Sequence, residues 1–159
     1  AGRCPGFSHE HFWRHGLAVG VAARNLARAL GHKGDNLFIA GLLHDIGRLA
    51  MVVVAPDDYA RVIATAHEQD CPWQQAEMST FGYDHADVGA ALAQRWNFPE
   101  DIRQALAFHH APSGGTPGGP AASSGLRAGD IAVTVDQLGA DDLAKGGGIV
   151  IEAGLGVKL

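Results

Sequence analysis

A chain of 159 residues, 47% hydrophobic and 18% charged, is long enough to bury one core and too apolar to be disordered. Its net charge of -5, without any cluster of Lys or Arg, excludes a nucleic-acid-binding face. The longest apolar runs, residues 39–43 and 49–55, are too short to span a bilayer, so no membrane contact is expected. No signal-peptide pattern is present, and the missing initial Met suggests a processed piece of a longer protein. Cys4 and Cys71 lie far apart with no CxxC spacing, which fits a reduced, cytoplasmic setting.

The first helix has a clear start. Ser8 is a suitable N-cap, and Phe7 and Phe12 stand at the two positions of a hydrophobic staple. His15, Gly16, Val19, Ala22, Ala23, Leu26 and Leu30 then follow the spacing of one helical face, and Gly31 ends the helix. Asp35 is expected to cap a second helix to about Met51, apolar on nearly every side, which belongs at the centre of a bundle. Val52, Val53 and Val54, directly before Pro56, read as a helix end and connection because no partner strand is visible. A surface helix is expected from Asp57 to about Gln69, and Pro72 opens another to about Thr80.

Asp84 is expected to cap a helix to Trp96 with His85, Val88, Gly89, Leu92 and Trp96 on one face. Pro99 at the first position, followed by Glu100 and Asp101, starts the next, where Ile102, Ala105, Leu106 and His109 share a face. Residues 113–125 form a Gly/Pro/Ser-rich stretch read as a flexible loop. A last helix is expected from about Leu126 to Leu138, and residues 141–159 are a tail without assigned structure. The expected fold is all-α, with six or seven helices around the Asn36–Met51 helix and no internal repeat.

Nine histidines are the unusual feature of the composition. His9 and His32 fall at helix ends, and His67 sits in a polar stretch. His15, His44, Asp45, His85 and His109 instead occupy apolar faces on four helices, where polar groups are costly unless paired or bound to a cation. One such histidine alone is more often a hydrogen-bonded core residue than a ligand. Together they match the way helix bundles build metal sites from facing helices. Imidazole with carboxylate suits iron, manganese, zinc or nickel, and five to seven such ligands suggest two ions.

The segments RHGLAVG (14–20), GLLHDIGRL (41–49), HADVGAALAQRW (85–96) and FHHAP (108–112) resemble the HDOD family, the HD-related output domains of bacterial signalling proteins. They are also similar to the sister HD-GYP phosphodiesterases. The resemblance implies an HD-like helical domain over residues 8–140, with 113–125 a loop inside it. It implies metal ligands at His15, His44, Asp45 and Asp136, joined by His85, His109 and His110 in a binuclear site. The sequence departs from the HD-GYP pattern where APSGGTPGGP replaces the GYP segment, and Arg48 stands where a Lys often follows the His–Asp pair.

Two functions follow from this resemblance. One is a metal-binding regulatory domain acting through another signalling protein or domain. The other is a metal-dependent phosphohydrolase for a nucleotide or cyclic dinucleotide, with Asp45 and Arg48 as catalytic residues. There Arg48 would pair with phosphate, unless it is simply a surface residue at a helix end. The cofactors expected are two divalent ions, iron or manganese ahead of zinc, and a phosphate-containing small molecule is the candidate ligand. No phosphate-binding glycine loop supports a nucleotide. A helical domain with buried, satisfied histidines and no metal is the third reading.

Overall fold

The computed structural model describes residues 4–111, which form seven α-helices and no strand. These are α1 (His9–Ala29), α2 (Asp35–Leu43), α3 (Ile46–Val54), α4 (Pro56–Gln69), α5 (Trp73–Phe81), α6 (His85–Arg95) and α7 (Glu100–Phe108). The all-helical expectation holds. The loop at 113–125, the last helix with Asp136, and the tail lie outside the described residues.

α1 begins as its sequence dictates. The Ser8 hydroxyl accepts from the His11 backbone N–H at 3.2 Å, and the Phe7 and Phe12 rings lie 5.9 Å apart. Gly31, at φ 84°, closes the helix: its N–H reaches the Arg28 carbonyl at 3.0 Å, and that of His32 the Ala27 carbonyl at 2.9 Å. Those two bonds are the Schellman pattern that satisfies orphan carbonyls. Leu30, expected on the buried face, is the cap residue and is exposed.

The single helix expected from Asp35 to Met51 is two helices, interrupted at His44 and Asp45. Adjacent residues of a straight helix point about 100° apart. The interruption, with Asp45 at φ -94° and ψ 11°, lets both side chains face the same centre. The cap is also different: Gly34 precedes the helix at φ 77°, and Asp35 is its first residue with no side-chain cap bond. Nor is α2 buried all round, since only Ala40 and Gly41 are buried and Ile39 is exposed. The span Asp35–Val54 has 20 residues of mean hydropathy 1.8, enough by length and composition to cross a membrane, which counting short apolar runs did not reveal. In the folded chain, His44 and Asp45 are buried in the middle of that span.

Pro72 and Pro99 stand one position ahead of α5 and α7 rather than inside them. Asp84 caps α6, accepting from the Ala86 and Asp87 backbone N–H groups, while the Asp87 side chain returns a bond to the Asp84 N–H. Trp96, expected on the inward face of α6, is 51% exposed because the helix ends at Arg95. The main apolar core lies between α3, α4 and α5, where Met51, Val52, Tyr59, Val62, Ala66 and Ala76 pack with Cys4. A second cluster of Ala93, Ile102 and Leu106 joins α6 to α7.

Two backbone crossings set the site. α1 and α2 touch at Gly20 and Gly41, where a methyl on Gly41 would lie 2.9 Å from the Gly20 Cα. α3 and α6 touch at Gly47, where a methyl would overlap the His85 carbonyl oxygen. These contacts draw His15 toward His44 and His85 toward Asp45.

Candidate metal centre

The crossings bring six of the seven expected ligands into one cluster. Asp45 is its hub. Its Oδ1 lies 3.4 Å from His44 Nε2, 3.3 Å from His85 Nε2 and 3.6 Å from His109 Nε2. His15 Nε2 approaches His44 Nε2 to 3.2 Å. His85 Nε2 lies 3.2 Å from His109 Nε2 and 2.8 Å from His110 Nε2. α7 ends at Phe108, so His109 and His110 sit in the following turn and both reach the centre, although a straight helix would separate them by about 100°. The seventh expected ligand, Asp136, is outside the described residues.

The outward nitrogens explain why the inward ones are ligand-ready. His44 Nδ1 donates to the Gly41 carbonyl at 2.8 Å, and His109 Nδ1 to the Leu106 carbonyl at 3.0 Å. His85 Nδ1 donates to Glu77 Oε2 at 2.6 Å. Each bond fixes the proton on Nδ1 and turns the Nε2 lone pair toward Asp45. Lone pairs held about 3 Å apart repel unless a proton or a metal ion lies between them.

Electrostatics follow from burial. Burial pushes the His44 imidazole down, with the neighbouring His109 and His15 adding, against Asp45 and the Gly41 carbonyl. For Asp45 burial acts upward, but His44, His109, His85 and Arg48 outweigh it and hold the carboxyl well below its usual range. For His85 burial acts downward, yet the Asp45 and Glu77 carboxylates prevail and push it up to about 9. Two carboxylates, Asp45 and Glu77, are thus balanced by the Arg48 guanidinium and by the proton on His85, and it is that proton a cation at His85 would replace.

Arg48 is not the surface residue that its second reading expected. It lies in the first turn of α3 rather than beside a helix C-terminus, and its side chain is only 18% exposed. Nη1 bonds Asp45 Oδ2 at 3.1 Å, Nε donates to the Tyr59 hydroxyl at 3.1 Å, and the guanidinium stacks 4.6 Å from the centre of the Trp73 ring. Over the cluster opens a cleft of about 360 Å³. His15, Asp45, His85 and His110 line its inner part, and Arg48 and Trp73 also border it.

A family comparison decides what such a cluster belongs to: the HDOD domain profile matches residues 2–112. The chain belongs to the HDOD domain family. An HDOD domain protein with unknown function from Geobacter sulfurreducens is 28% identical with a TM-score of 0.73, covering 86% of this chain and 44% of its own. A Shewanella amazonensis SB2B protein provisionally described as a phosphohydrolase is 27% identical with a TM-score of 0.72, over 91% of this chain and 51% of its own. An uncharacterised protein of Treponema pallidum (strain Nichols) is 31% identical over 103 residues, 64% of this chain and 20% of that protein. This HDOD chain therefore spans about half the length of the solved relatives and a fifth of the Treponema protein.

Sequence reasoning missed Glu77 and Tyr59. Both are fully buried, and Glu77 also accepts from the His85 backbone N–H at 2.9 Å. A weak signal existed: Ala76 and Glu77 are neighbours in a short helix that needs an inward face. Glu in a helix is nevertheless usually solvated. His11, one turn before His15, was given no role and lines the cleft. His9, His32 and His67 are exposed, as expected from their positions.

Proposed function

We propose that this HDOD domain is a cation-binding regulatory module of a bacterial signalling protein, acting through a partner protein or domain. A pair of divalent ions, iron or manganese, fits two ligand groups that share Asp45. One group is His15, His44 and Asp45; the other is Asp45, His85, His109 and His110. Asp136 would complete the set. The observation that carries the reading is the convergence of three buried Nε2 atoms within 3.6 Å of one Asp45 oxygen. When bound, such ions activate water and neutralise phosphoryl oxygens.

The cleft favours a second reading, a phosphohydrolase for a phosphate-containing small molecule, because it connects the cluster to the outside. Asp45 would then hold the ions, and Arg48 would offer phosphate whatever donor capacity its bonds to Asp45 and Tyr59 leave. That commitment of Arg48 supports the regulatory reading over the catalytic one. Elemental analysis of protein purified without added metal, beside a His44→Ala control, tests the common part. Metal in the first and not in the second, with no turnover of a small phosphodiester, is the expected result. Turnover that requires Mn²⁺ and disappears in Asp45→Asn would make the domain an enzyme. No metal in either protein, and none taken up from added Mn²⁺ or Fe²⁺, would leave the histidines as core residues.

A further inference from the structure

A closed ring of hydrogen bonds and ion pairs links the ligands Asp45 and His85 behind the centre through Glu77, Tyr59 and Arg48, which hold no ligand position. From Asp45 Oδ1 it passes to His85 Nε2 at 3.3 Å, and from His85 Nδ1 to Glu77 Oε2 at 2.6 Å. Glu77 Oε1 accepts from the Tyr59 hydroxyl at 2.6 Å, and that hydroxyl accepts from Arg48 Nε at 3.1 Å. Arg48 Nη1 returns to Asp45 Oδ2 at 3.1 Å. The ring thus ties α4 and α5, which carry none of the expected ligands, to the hub carboxylate and to one imidazole.

Glu77 is the unusual member. It is fully buried, and its two oxygens accept three bonds: two from His85 and one from Tyr59. A carboxylate behind a ligating imidazole fixes its tautomer and rotation and makes its inward nitrogen a stronger donor. His44 and His109 have backbone carbonyls in that place, so among these three imidazoles His85 alone has an anion behind it.

We infer that Glu77 is a positioning residue for the metal centre: it orients and strengthens His85, and Tyr59 holds Glu77 in register with Arg48 and Asp45. The inference rests on the cation-binding reading and adds an asymmetry to it. Glu77 gives this buried anionic support to the group containing His85, whereas His44 in the other group is backed by the neutral Gly41 carbonyl. That group therefore depends on Glu77, and the His15 and His44 group does not.

Mn²⁺ titration of the metal-free protein by calorimetry tests this, with Glu77→Gln, Tyr59→Phe and His15→Ala compared with the wild type. Glu77→Gln is expected to weaken one of two binding steps by roughly 10- to 100-fold and leave the other within threefold. The weakened step is the one that survives in His15→Ala. Tyr59→Phe, which keeps the ring in the α3–α5 core, weakens the same step by a smaller factor and carries the test if Glu77→Gln does not fold. Two folded variants with wild-type affinities at both steps would overturn the inference while leaving the metal centre intact. Equal weakening of both steps would also overturn it, because Glu77 would then support the fold rather than His85. A wild type that takes up no Mn²⁺ would remove the cation reading and this inference with it.

Discussion

Asp45 is the residue on which the site turns, and the bonds around it predict how substitutions differ. Asp45→Asn keeps the shape but removes the anion shared by both ligand groups, so metal uptake should be lost at both. Elemental analysis of the purified variant reads this directly, and a wild-type metal content would contradict it. Arg48 gives a result that its position in the sequence alone would not suggest. As a substrate-facing arm it would leave metal binding and stability alone. As the partner of Asp45 Oδ2 and Tyr59, its removal strips a buried carboxylate of its guanidinium. Arg48→Ala should cost on the order of 2–3 kcal/mol, somewhat under the full value for a buried pair because the side chain keeps some solvent. Urea melts of the metal-free protein check it, and a change under about 0.5 kcal/mol would return Arg48 to the surface-residue reading.

Between elements, the positions of the helices are set by backbone contact more than by large side chains. Gly47 is the clearest case, since any side chain there meets the His85 carbonyl oxygen. That oxygen is backbone and cannot swing aside, so α3 and α6 must separate. Gly47→Ala should destabilise by about 1–3 kcal/mol. It should also lower metal affinity, because His85 moves with α6 while Asp45 moves with α3. Chemical denaturation with metal titration tests both parts. Gly31→Ala is the matching control: nothing crowds the position, but φ is 84°, so only the modest cost of a left-handed alanine is expected, with metal binding unchanged.

For the whole molecule, metal and protons compete for the same buried space, which gives two stability profiles of opposite slope. In metal-free protein His85 is raised to about 9, above the ordinary value of 6.5. Its protonated form therefore contributes stability that is fully present below about 6.5 and lost as pH rises through about 9. In loaded protein the ion replaces that proton, and metal binding weakens toward acid as the imidazoles protonate. Thermal melts from pH 6 to pH 9.5 should show the chelated protein losing stability with rising pH while the Mn²⁺-loaded protein gains on it. At a hundredfold excess over Kd the ion should contribute about 2.7 kcal/mol, or roughly 5–15 °C in Tm. Parallel profiles with and without metal would mean that no ion binds at His85.

The amino-acid sequence by itself determined the helical class, the start of α1 at Ser8, the cap at Asp84 and the family. These rest on local periodicity, on capping chemistry and on motifs within a few residues of one another. It also marked His15, His44, Asp45, His85 and His109, because polar groups on apolar faces stand out along a single helix. Only the tertiary structure decided that the Asp35–Met51 segment breaks at His44 and Asp45, since a one-residue deviation costs little locally and is settled by what both side chains must face. It also decided that His110 reaches the centre, that Arg48 grips Asp45, and that Glu77 and Tyr59 stand behind His85. Those partners lie 3 to 25 residues apart in sequence, and no spacing rule reaches across separate helices. Their pairing follows from where glycine contacts let the backbones cross.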